Sequence, residues 1–143
     1  MQELVRVLVV DDDRMVADMM REVVGELGYS CAVANTGAAA LAYARTEAFD
    51  IGLLDIALPD LSGYVLARHL RDVQPHAVYL AAFTGWPAAH DANAALAAGF
   101  DQHVLKPIKI DAIRLLLERA ADKLRSRRVI AARAAQPRVA DES

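Results

Sequence analysis

The sequence predicts an α/β fold: a doubly wound, five-stranded parallel sheet with helices on both faces and strand order 2-1-3-4-5. Three observations predict it. Five short apolar runs alternate with five helical patterns, without a repeat or low-complexity block between them. The first run, Leu4 to Val10, is nearly continuous in apolar, β-branched residues, as in a strand covered on both faces. The length, 143 residues, allows one core and is short for two. Right-handed crossovers then leave few topologies, and 2-1-3-4-5 is a common one at this size.

The elements follow in order. After the first strand and Asp11-Asp12-Asp13, the residues Val16, Met19, Met20, Val23, Val24 and Leu27 form one apolar helical stripe, and Gly28 is placed to end that helix. Ser30 to Ala34 is the second strand, Asn35-Thr36-Gly37 a turn, and Ala38 to about Arg45 a second helix anchored by Leu41. The third strand lies in Phe49 to Asp55 and is followed by a turn through Pro59, with Ser62 as a candidate N-cap. A third helix runs from Tyr64 to about Arg71, a fourth strand from Ala77 to Phe83, and an alanine-rich fourth helix from Ala88 to Ala98. His103-Val104-Leu105 is the fifth strand. Asp111 is expected to cap a last helix with the stripe Ile113, Leu116, Leu117, Ala120 and Leu124.

Composition narrows the function classes. Hydrophobic residues make up 55% and charged residues 24%, which excludes disorder for most of the length. No apolar run approaches the roughly 18 residues of a membrane span. The first residues lack a basic, apolar leader pattern, and Cys31 is the only cysteine, so a reducing cytoplasm is expected. The net charge is −3, but residues 125–143 alone carry +3, which leaves −6 on residues 1–124. An acidic body argues against direct nucleic-acid binding and accommodates divalent cations.

Ligands of such sheets sit at the carboxyl ends of the strands beside the switch point, here strands one and three. Those ends carry unusual residues: Asp11 and Asp12 after strand one, Asp55 after strand three, Thr84 after strand four and Lys106 after strand five. Singly, each has a bland reading as a cap, a turn residue or a solvated charge, and Asp13 fits a helix cap well. A cap does not require three acids, and all five residues meet at one edge. Clustered carboxylates repel unless a cation intervenes. A hard divalent ion such as Mg2+, held by carboxylates and water, relieves that repulsion. A nucleophilic carboxylate, a metal, a hydroxyl and an ammonium are the parts that phosphoryl transfer uses.

Val9-Val10-Asp11-Asp12, Asp55 with Pro59 and Gly63, Phe83-Thr84-Gly85, and Gly99-Phe100-Asp101 with Lys106-Pro107 together resemble the receiver domain of two-component response regulators. The resemblance covers roughly residues 4 to 124, and it implies a flavodoxin-like (βα)5 fold over a domain of residues 1–124. It implies that Asp55 takes a phosphoryl group from a histidine kinase or histidine phosphotransfer protein. Asp12, Asp55 and the backbone carbonyl of Ala57 would hold Mg2+ directly, and Asp11 through water. Thr84 and Lys106 would bind phosphoryl oxygens, with a cis Lys106–Pro107 bond. His103 falls at the position of an aromatic switch residue coupled to Thr84. Ala57 and Trp86 fall at positions that tune the lifetime of the acyl phosphate. Output is expected through the face made by the fourth helix, fifth strand and fifth helix, with homodimerisation left open, no membrane contact, and no catalysis beyond the domain's own phosphorylation and dephosphorylation.

Residues 125–143 are expected to be a basic helix extension or tail, too short for a DNA-binding output domain. Two other functions compete. A haloacid-dehalogenase-like phosphohydrolase would use Asp11 as nucleophile and needs a second acidic pair after the lysine, where only Asp111 stands. A receiver-like adaptor that is never phosphorylated would not need the complete acid set.

Overall fold

Alternate residues of each central strand face different layers, and that explains why the apolar runs are nearly unbroken. The computed structural model describes residues 5–85 and 99–135. Its strands are β1 (Arg6–Val10), β2 (Ser30–Ala34), β3 (Ile51–Asp55), β4 (Tyr79–Thr84) and β5 (Gln102–Leu105). All pair in parallel, in the order β2-β1-β3-β4-β5. The helices described are α1 (Arg14–Glu26), α2 (Gly37–Thr46), α3 (Gly63–Val73) and α4 (Ile110–Ala135). The helix expected over Ala88–Ala98, and Trp86, lie outside the described residues.

Val7, Val9, Ile51, Leu53, Tyr79, Ala81 and Phe83 pack under α1 and α4 in one core. Leu8, Val10, Leu54, Leu80 and Ala82 pack against buried residues of α2 and α3 in the other. Strands β1, β3 and β4 are therefore covered on both sides, as their composition demands. No helix among the described residues is long and apolar enough to cross a membrane.

The local signals mostly act as read. Asp13 caps α1 by accepting from the amides of Met15 and Val16. Gly28 follows the helix at φ 93°, a left-handed conformation that favours glycine. Ser62 caps α3 through Tyr64 N–H. Four details differ. Ala17 takes an inward place on α1, while Met19 is 42% exposed, so the buried stripe is rotated from the one read in sequence. On α2 the buried positions are Gly37, Ala40 and Ala44, with Leu41 only partly covered. Strand β4 starts at Tyr79 rather than Ala77, and the carbonyls of Ala77 and Val78 accept from Arg128 and Arg71. Asp111 does not cap the last helix: α4 starts at Ile110, Ile113 N–H bonds to the Lys109 carbonyl, and Asp111 sits in the first turn.

Helix α4 continues without a break past residue 124 to Ala135. At the amino ends of the strands its arginines meet a buried acid, Asp50, and a partly buried one, Asp101. Asp50 accepts from the Arg6 amide at 2.7 Å, from the Arg6 guanidinium at 3.2 Å, and from Arg128 Nη2 at 2.8 Å. Asp101 accepts from Arg71 and Arg127, each at 2.7 Å, and from the Leu80 amide at 2.9 Å. Arg127 also lies over the Tyr79 ring, 5.7 Å from its centroid. Two carboxylates thus tie the second half of α4 to β1 and α3 at the amino edge of the sheet.

Candidate functional site

Four strand exits build the opposite edge of the sheet. Strand β1 ends at Val10, and the next residue, Asp11, is 2% exposed. Its amide bonds to the Ala34 carbonyl of β2, its carbonyl accepts from Asn35 Nδ2, and its Oδ1 accepts from Asp13 N–H at 2.9 Å. Those contacts fix the turn, so Asp11 cannot swing away. Asp12 is exposed beside it.

Asp55 is the last residue of β3 and is 6% exposed. Its Oδ1 accepts from Ala57 N–H at 3.1 Å. The loop it opens closes on itself, because Gly63 N–H bonds to the Ile56 carbonyl at 3.1 Å. A Cβ on Gly63 would lie 2.7 Å from Ile56 Cα and 3.0 Å from the Asp55 carbonyl, so only glycine permits this closure. The spacing of Asp55 and Gly63 has that packing cause.

Lys106 arrives from the exit of β5. Its amide bonds to the Thr84 carbonyl at 2.7 Å, and the Lys106–Pro107 bond is cis. Its Nζ lies 3.4 Å from Asp55 Oδ2 and 3.7 Å from Asp11 Oδ2. Thr84, 8% exposed, ends β4, whose register sets Phe83 beside Asp55 and Thr84 beside Leu105. Carboxylate oxygens of Asp11, Asp12 and Asp55 lie within 4.8 Å of one another. Burial pushes the Asp11 carboxyl above its ordinary range. The Asp13 amide pulls it back, the Asp55 charge pushes it up again, and Lys106 offsets only part. One ammonium facing three carboxylates leaves net negative charge, and an oxygen-seeking divalent cation fits that donor set.

A family model of the response regulator receiver domain matches residues 7–118. The chain belongs to the response regulator receiver family. This receiver is 38% identical over 125 residues to the virulence sensor protein BvgS of Bordetella pertussis, which covers 83% of this chain and 10% of that protein. It is 37% identical over 113 residues to the probable transcriptional regulatory protein TcrX of Mycobacterium tuberculosis, covering 79% of this chain and 48% of that protein. The receiver therefore spans a tenth of one relative and about half of the other. Among solved structures, a CheY-like receiver domain protein from Methanospirillum hungatei matches with TM-score 0.77 and 31% identity, covering 88% of this chain and 98% of that one. A Burkholderia pseudomallei response regulator, solved with a phosphorylated aspartic acid, a calcium ion and citrate, matches with TM-score 0.74 and 26% identity, covering 89% and 74%. The likeness and the sheet order agree with two-component signalling through a flavodoxin-like fold.

The receiver brings together Asp11, Asp12, Asp55 and Lys106 as read from sequence, with Thr84 adjacent in the sheet. His103 lies on β5 opposite Ala82, and its Nε2 is buried with no hydrogen-bond partner among the described residues. Sequence reading missed the supports. Asp60 bonds to the amides of Gly37 and Ala38, and Asp50 and Asp101 hold the arginines. For Asp50 a signal existed: it directly precedes the apolar strand β3, where a carboxylate has no packing role.

Proposed function

We propose that this receiver accepts a phosphoryl group on Asp55 and signals through protein contacts that depend on it. The observation that carries the reading is the approach of Lys106 Nζ to both Asp55 and Asp11 inside a cluster of three acids. Asp11, Asp12, Asp55 and the Ala57 carbonyl would hold Mg2+, which when bound neutralises phosphoryl charge. An Asp55 oxygen attacks phosphorus, the P–N bond of a phosphohistidine donor breaks, and the histidine leaves as neutral imidazole after taking up a proton. Lys106 and Thr84 supply donors to the remaining oxygens, and the buried floor excludes bulk water.

The donor is a histidine kinase or histidine phosphotransfer protein, and the setting is the cytoplasm. The output face includes β5 and α4, whose Leu105 and Leu115 are exposed; the fourth helix expected in it lies outside the described residues. His103 is the residue whose placement responds to Thr84. Neither membrane nor nucleic acid is a direct partner in this reading, and self-association of the phosphorylated form is a further arm of it. Catalysis is limited to the receiver's own phosphorylation and dephosphorylation. The phosphohydrolase alternative lacks support, because Asp111 is 89% exposed on its side chain and pairs with Arg114, away from the three-acid cluster. Incubation with acetyl phosphate, followed by intact mass, tests the proposal. One added phosphoryl group that depends on Mg2+ supports it, and steady turnover of donor without an adduct contradicts it.

Ala57 and Trp86 set the lifetime in this reading. Ala57 is exposed and has no group to orient an attacking water, so the acyl phosphate is expected to be long-lived. Ala57→Asn is expected to shorten that lifetime several-fold, less than the roughly hundredfold of a full general base, because a carboxamide can orient a water but cannot take its proton. Timing the decay of the adduct by mass checks this, and an unchanged lifetime removes Ala57 from the role.

A further inference from the structure

The loop that leaves Asp55 is held at a second point, far from its own base. Asp60 Oδ1 accepts from Gly37 N–H and Asp60 Oδ2 from Ala38 N–H, each at 2.9 Å. Both oxygens are used, so the carboxylate has one orientation. Leu61 lies over the same turn: a Cβ on Gly37 would come 2.5 Å from Leu61 Cδ2 and 3.1 Å from Leu61 Cβ. The first amides of a helix have no partner within the helix and carry its positive dipole end, so a carboxylate is well matched to them. Helix α2 already has its own cap, Thr36 Oγ1 to Ala39 N–H at 3.0 Å, so Asp60 is more than a substitute cap.

The loop from Ile56 to Ser62 is thereby closed at its base by Gly63 and Ile56 and pinned at its tip to α2. Ala57 lies between the two points, and its amide bonds to Asp55 Oδ1. We propose that Asp60 is a positioning residue for this site. By latching the loop to α2 it holds the Ala57 carbonyl where Mg2+ binds and keeps the Asp55 carboxylate oriented. The inference rests on the Asp55 and Mg2+ reading above and adds the amino end of α2 to the machinery of the site.

The test compares Asp60→Ala, Asp60→Asn, Gly37→Ala and Arg128→Ala with the wild type, each as the full chain. Mg2+ affinity is measured by calorimetry without donor, and adduct formation with acetyl phosphate is followed at several Mg2+ concentrations. Asp60→Ala is expected to weaken Mg2+ binding about tenfold, the lower end of what outer-shell partners of metal ligands contribute. Adduct formation then slows at limiting Mg2+ and recovers when Mg2+ saturates. Asp60→Asn, which keeps one acceptor oxygen, restores part of the affinity. Gly37→Ala favours the helix yet pushes on Leu61, and is expected to weaken Mg2+ binding too. Arg128→Ala, which removes a contact to Asp50 at the opposite edge of the sheet, loosens the fold without touching the loop or α2 and leaves Mg2+ affinity unchanged. Equal Mg2+ affinity in Asp60→Ala and wild type overturns the latch, as does an equal loss in Arg128→Ala. A wild type that binds Mg2+ but takes no phosphoryl group on Asp55 defeats the phosphorylation reading, while the calorimetry still decides the latch.

Discussion

Asp55→Asn is expected to take up no phosphoryl group from acetyl phosphate under conditions that modify the wild type fully. The carboxamide has the size of the carboxylate and can still accept from Ala57 N–H, but it is a poor nucleophile and carries no charge for Mg2+. Fold stability is expected to stay within about 1 kcal/mol, since the loop and strand contacts persist. The opposing electrostatic effects explain why. Removing the Asp55 charge relieves repulsion from Asp11 and Asp12, and forfeits attraction to Lys106 Nζ at 3.4 Å. Intact mass and a thermal melt read both parts. An adduct on the variant places the nucleophile elsewhere, with Asp11 the first candidate.

Asp50→Ala is expected to be the most destabilising single change outside the two cores. It removes the acceptor for the Arg6 amide, the Arg6 guanidinium and Arg128 Nη2, and leaves all three donors at the base of β1 and α4 without that carboxylate. Breaking a buried charge pair from one side costs 3–5 kcal/mol. The part-hydrated arginines put this case at the low end, about 3 kcal/mol or a fall in Tm of about 10 °C.

The same acids set the acid limit. Burial pushes the carboxyls of Asp50 and Asp101 up. The hydrogen bonds of Arg6 and Arg128 to Asp50, and of Arg127, the Leu80 amide and Arg71 to Asp101, outweigh it and hold both below the usual carboxylate range. A carboxyl depressed in the folded state binds its proton more readily when unfolded. Its stabilisation is therefore complete above the unfolded value, about pH 4, and disappears as pH falls through the folded one. Asp50→Asn is expected to flatten that acid limb, which urea midpoints measured across pH would show. An acid limb identical to wild type would mean that other groups set it.

Much of this arrangement is legible in the sequence, for reasons local to the chain. An apolar run that ends on an acid marks both the strand and its exit, so Asp11 and Asp55 announce themselves and the parallel order brings them together. Asp13, Gly28 and Ser62 act within their own turns and need no tertiary information. The supports are different. Asp60 meets α2 across 22 and 23 residues of chain, and Arg128 meets Asp50 across 78. Such pairs depend on where a loop lands against a distant helix, which no local pattern encodes. The misreadings on α1 and α4 have a similar cause. Met19 fits the apolar stripe by type, yet the smaller Ala17 sits where α1 comes close to the sheet. Asp111 has a cap's chemistry, but the helix starts one residue before it.

The central claim is that Asp55, among three clustered acids, is the residue that carries the phosphoryl group. Borohydride reduction of the acetyl phosphate-treated wild type, followed by peptide mass mapping, tests it most directly, because reduction converts an acyl phosphate to homoserine in place. Homoserine at position 55 and at neither 11 nor 12 is the expected result. Homoserine at Asp11 or Asp12, or none in any peptide from protein that has consumed donor, would contradict it.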